Sequence, residues 1–109
     1  MNYTPLLAQA GVFLGTGVSA IVTAPTGTTY MLTQVTLTNT TGTPVQCTLY
    51  LSSANTVVTG SQLIIVNVDS NSTEIVDAAR HNLNAGGALL AQAATASAVI
   101  IKVSAIAVV

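Results

Sequence analysis

Turn-forming residues cut this chain into short β-branched runs about 8–12 residues apart, a cadence that leaves little room for helices. The segment Val45-Gln46-Cys47-Thr48-Leu49-Tyr50-Leu51 carries the pattern most plainly. Val45, Cys47, Leu49 and Leu51 fall on alternate positions, so an extended backbone puts all four on one face. Further runs at 6–13, 18–23, 29–38, 63–68, 73–76, 88–93 and 99–108 bring the expected strands to eight. Between them stand Gly15-Thr16-Gly17, Pro25-Thr26-Gly27, the stretch 39–44 and Gly86-Gly87, residues that tolerate or impose turn geometry. The spacing predicts an all-β fold: a single-domain antiparallel β-sandwich over residues 1–109, with 1–5 as a flexible or partner-bound arm.

Three segments are less plain. In 29–38, Tyr30, Leu32, Gln34, Thr36 and Thr38 alternate with Met31, Thr33, Val35 and Leu37, and neither set is uniformly apolar. Either burial changes face along this strand or its solvent face is built from Thr. Ala88 to Ala98 is rich enough in alanine for a helix, but Gly86-Gly87 before it and Thr95 and Ser97 within it favour strand and turn. Asp77 to Leu83 is short and polar, with room for one helical turn.

Composition narrows function. Only 5% of the 109 residues are charged while 50% are hydrophobic, and the formal net charge is −1. Arg80 and Lys102 are the only cationic side chains besides His81, so no basic patch exists to neutralise nucleic-acid phosphates. Low charge also removes the repulsion that keeps proteins apart, which predicts a homo-oligomer. No run approaches 18 apolar residues, and no basic segment precedes the first apolar ones. We therefore expect neither membrane insertion nor a signal peptide, and synthesis in a host cytoplasm.

The candidate chemistry is sparse. Gly15-Thr16-Gly17-Val18-Ser19-Ala20 matches a dinucleotide-binding pattern formally, but Ile21-Val22-Thr23 reads as a strand where that motif needs a helix. Cys47 is the only cysteine, so no disulfide forms within the chain; a buried hydrophobic role suits it. Asp69, Glu74, Asp77, Arg80 and His81 gather nearly all the charge in one segment. Asp77 and His81 lack the nucleophile context of a hydrolase. Asp69, Asn71 and Glu74 lack the spacing of a calcium loop. We expect no enzyme activity, metal or cofactor, and read the five charged residues as a contact segment, with Asp77–Arg80 or Glu74–His81 as ordinary ion pairs. Tyr30 and Tyr50 could form a sugar-stacking platform if their strands pair.

The order of motifs adds a resemblance. Ile21-Val22-Thr23-Ala24-Pro25-Thr26-Gly27 leads to Tyr30, Leu32, Val35 and Leu37-Thr38-Asn39-Thr40. Val45 to Leu51 and then Leu83-Asn84-Ala85-Gly86-Gly87-Ala88-Leu89 follow. Over residues 12–108 this resembles a family of small virion proteins of tailed bacteriophages. Two features depart from that family: Gly87 replaces an acidic residue, and the 52–61 loop is short. The resemblance implies a jelly-roll-like sandwich in the virion, with a capsid decoration (cement) protein bound to the major capsid protein as the leading expectation. By the same analogy a trimer is favoured. A tail, baseplate or fibre component is the alternative, and a carbohydrate-binding module the alternative of another class.

Overall fold

A computed structural model describes residues 3–53, 62–76 and 82–109. Among these residues the chain is all-β, with nine strands and no helix: β1 (Tyr3–Phe13), β2 (Ser19–Thr23), β3 (Thr29–Asn39), β4 (Val45–Ser52), β5 (Gln62–Val68), β6 (Thr73–Ile75), β7 (Asn82–Leu83), β8 (Ala88–Ala93) and β9 (Val99–Val108). One antiparallel sheet runs β1-β9-β3-β6 with β7 also on β3; the other runs β2-β8-β4-β5. The pairing is nested. First pairs with last, β2 with β8, β3 with β6 and β7, and β4 with its hairpin neighbour β5. Such nesting is a hairpin wound into two facing sheets, which is the jelly roll.

The alternating strands fill the space between the sheets. Val45, Cys47 and Leu49 face inward from β4. From β9, Val99, Ile101, Val103 and Ala105 do the same. β3 resolves the ambiguity of its sequence with a bulge. Its register against β9 shifts between Leu32 and Gln34. Two residues there oppose one, which moves the inward set from Leu32 to Val35, Leu37 and Asn39. Burial does change face along this strand.

Other boundaries differ modestly from the sequence reading. β1 takes in Tyr3, Thr4 and Pro5 from the expected arm, pairing them with Val108, Ala107 and Ile106. The expected helical turn at 77–83 falls mostly outside the described residues, but its last two, Asn82 and Leu83, form β7 against Met31 and Tyr30. Ala88–Ala93 is a strand as expected. Thr16 and Gly17 form a bend between β1 and β2, not the entry to a helix.

Two positions fasten the sandwich. Asn39 is 1% exposed at the end of β3. Its Nδ2 donates to the carbonyls of Thr43 (2.8 Å) and Val68 (3.1 Å). Its Oδ1 accepts from the Thr41 amide (2.9 Å) and hydroxyl (2.7 Å). One neutral side chain thus ties β3, the crossover turn and the end of β5, with its full hydrogen-bonding capacity used. At the other end, Gly87 lies so close to its neighbours that a Cβ would sit 3.0 Å from the Asn84 carbonyl oxygen and 3.1 Å from that of Ser52. The backbone leaves little room there for any side chain.

Both positions are testable by chemical unfolding. Asn39→Asp keeps the shape but removes both N–H donors, and should destabilise the fold by about 2–4 kcal/mol. Gly87→Asp should cost about 1–3 kcal/mol through crowding against fixed carbonyls. Shifts in urea midpoint at unchanged slope would read both. Loss of less than about 0.5 kcal/mol at Asn39 would contradict its role as a fastener.

Candidate interaction surface

The strands that pack the core with one face present the other to solvent, and in the β1 sheet that outer face is unusually apolar. The register arranges it in cross-strand rows. Tyr3, Val108 and Thr29 form the first, and Pro5, Ile106 and Met31, with the exposed Asn82 of β7 at its end, the second. Leu7, Ser104 and Gln34 form the third. Lys102, Thr36 and Ile75 follow, then Phe13, Ile100 and Thr38. Exposure is high at the two ends: Tyr3 62%, Leu7 56% and Met31 37% at one, Phe13 49% and Ile75 56% toward the other. About 30 Å of strand separates Tyr3 from Phe13.

Among the described residues, the only charge on this face is Lys102. It lies opposite a bulge in β1, where two residues, Ala10 and Gly11, span the gap in register between Gln9 and Val12. Gly11 has φ +141°, and a Cβ there would meet the Lys102 Cε at 3.4 Å. The glycine makes room for the lysine stem to lie along the sheet while its ammonium reaches water.

The other outer face is more polar. Gln46, Thr48 and Gln92 line a shallow depression of about 220 Å³ together with Thr16. Beside it the Gln92 Nε2 donates to the Tyr50 hydroxyl at 3.2 Å. Tyr50 stands on the outer side of β4, paired with Leu90, whereas Tyr30 stands in the inward row of β3, paired with Leu83. Their strands lie in different sheets, so they do not pair into the sugar-stacking platform considered from sequence.

Of the expected contact segment, Asp69 is exposed just after β5 and Glu74 is exposed on β6. Asp77, Arg80 and His81 lie outside the described residues, as do the ion pairs expected of them. Among the described residues no group of three or more His, Cys, Asp or Glu is placed to hold a metal, and no helix is long and apolar enough to cross a membrane. Reasoning from sequence followed the rare charges and missed the apolar rows. The signal was present in β9, where Ile100, Ile106 and Val108 alternate with core residues and make both faces apolar.

Neither a family model nor the sequence of a curated protein matches the chain. Solved structures do match it in shape. A chain of the acid-stable capsid of Helicobacter pylori bacteriophage KHP30 superposes with a TM-score of 0.59 at 12% identity, covering 97% of this chain and 90% of that one. A chain from the disulfide-linked pili that form Bacillus endospore appendages gives a TM-score of 0.53 at 14% identity, covering 98% and 89%. The likeness is one of fold.

Titration sets apart one group. Burial pushes the Cys47 thiol up from 9.0 to about 11. The unfolded chain therefore releases this proton first, and stability should fall as pH rises from 9.0 to about 11. Cys47→Ala should lack that fall, and native protein below it should react with thiol reagents only as fast as it unfolds.

Proposed function

We propose that this chain is a virion structural protein, a decoration or cement protein that stabilises a phage head by bridging shell subunits. The observation that carries this reading is the outer face of the β1 sheet, with exposed apolar side chains at both ends and Lys102 as its only described charge. A rigid sandwich 45 Å long with two sticky ends suits a molecule whose work is to join neighbours. The fold likeness to a chain of a phage capsid supports the same reading. On the shell, the Phe13–Ile100–Thr38 end buries apolar and hydroxyl surface, and many identical copies make the attachment multivalent.

A tail or fibre component is the second reading, favoured by the likeness to a chain of spore-appendage pili. Those pili are disulfide-linked; here the single cysteine, Cys47, is fully buried in the core. A fibre built from this chain would be held by non-covalent contacts.

Occupancy on purified phage heads stripped of the protein tests the proposal. Contact through apolar and hydroxyl groups releases few counterions, so attachment should persist from low to molar salt. Phe13→Asp, at a half-exposed strand end, should weaken attachment about tenfold or more while keeping the wild-type circular dichroism and urea midpoint within about 1 kcal/mol. Release by moderate salt, or full binding by the variant, would overturn the proposed contact. Binding to tails but not heads would select the second reading.

A further inference from the structure

The larger apolar end, at Tyr3, Pro5, Leu7, Met31, Ile106 and Val108, has a different occupant. We infer that it packs face to face on the same end of a second copy of this chain. Three observations converge on that partner.

The first is charge. The three rows from Tyr3 to Gln34 contain no ionisable acid or base apart from the tyrosine hydroxyl, and the nearest described charge on that face is Lys102 in the next row. Among the described residues these rows hold no charge, so they can meet their own copy without stranding one.

The second is area. With Tyr3 62% and Leu7 56% exposed, and Met31 and Pro5 beside them, the end presents on the order of 500 Å² of apolar surface. Two such ends remove about 1,000 Å² from water, the lower limit for a specific interface and the size range of reversible ones.

The third concerns the neighbouring edge. β1 is an outer strand whose free side could add a strand from another copy, but Pro5 has no N–H to offer. Register shifts between Leu7 and Gln9 and between Gln9 and Val12 bend the rest. A blunted edge beside an apolar face directs copies to meet through the face. The outer sheets then stack about 10 Å apart, as the two sheets of a sandwich do. A patch that meets itself closes as a two-fold pair, which differs from the trimer expected by analogy and leaves both Phe13 ends free.

Sedimentation equilibrium from about 1 to 100 µM tests this. The wild-type chain should interconvert between the 11.0 kDa species and its dimer. Leu7→Lys and Leu7→Glu should each pair at least about tenfold more weakly while keeping the wild-type circular dichroism, and mixing them should restore pairing. Phe13→Asp should pair normally, so this outcome is read separately from binding to heads. A monomer at every concentration, a trimer, undiminished pairing by both Leu7 variants, or a mixture that stays monomeric would each overturn the inference. So would flotation of a monomeric wild type on phosphatidylcholine vesicles that Leu7→Lys abolishes, which would assign the face to lipid.

Discussion

The carboxamide of Asn39 pins the two core-packed sheets of this sandwich together at one end. It sits where β3 leaves the β1 sheet and the chain crosses toward β4, and it reaches the last carbonyl of β5 in the opposite sheet. Backbone bonds surround it: Asn39 N–H donates to Ser72, Thr40 N–H to Ala98, and Asn71 N–H to Thr41. Crossovers from both halves of the nested hairpin therefore converge on one residue. A buried charge here would need a counter-ion, in a chain that has very few. A neutral amide, satisfied on both its donor and acceptor sides, achieves the same connection without one.

The strand pattern was legible because period-two alternation is a local signal. Val45 to Leu51 read correctly from its own residues, and so did the choice of strand over helix at Ala88–Ala93, since flanking glycines and internal Thr and Ser are local too. β3 was half legible: its mixed faces announced a change in burial, but the bulge that causes it belongs to the pairing with β9. β7 escaped, because two residues carry no period. The apolar face escaped for a deeper reason. Tyr3, Met31 and Ile106 come from three strands separated by the length of the chain, and only register brings them into adjacent rows. Charge, being scarce, drew attention in sequence to 69–81 instead.

The fold also explains how a surface so poor in charge is compatible with a specific structure. Nested pairing brings the first and last strands side by side and places β9 between β1 and β3. The long strand β9 is thus consumed within the molecule; of the two rims of that sheet, β1 carries a proline and two register shifts, and β6 is only three residues long. Stickiness is moved from edges, which propagate without limit, to faces, whose extent is finite. At 12% and 14% identity to chains of similar shape, the fold is shared far more than particular side chains.

The placement of Lys102 has a consequence for durability. Arginine and lysine together number two in this sequence, so trypsin-like proteases have two bonds to cut. The bond after Lys102 lies in the middle of β9, which is hydrogen-bonded to β1 on one side and to β3 on the other along nearly its whole length. A protease must hold its substrate extended and unpaired, so that bond opens only when the central strand of the sheet comes apart. Digestive attack at this site is governed by global unfolding, so one of the two tryptic bonds is only as accessible as the whole sheet is unstable.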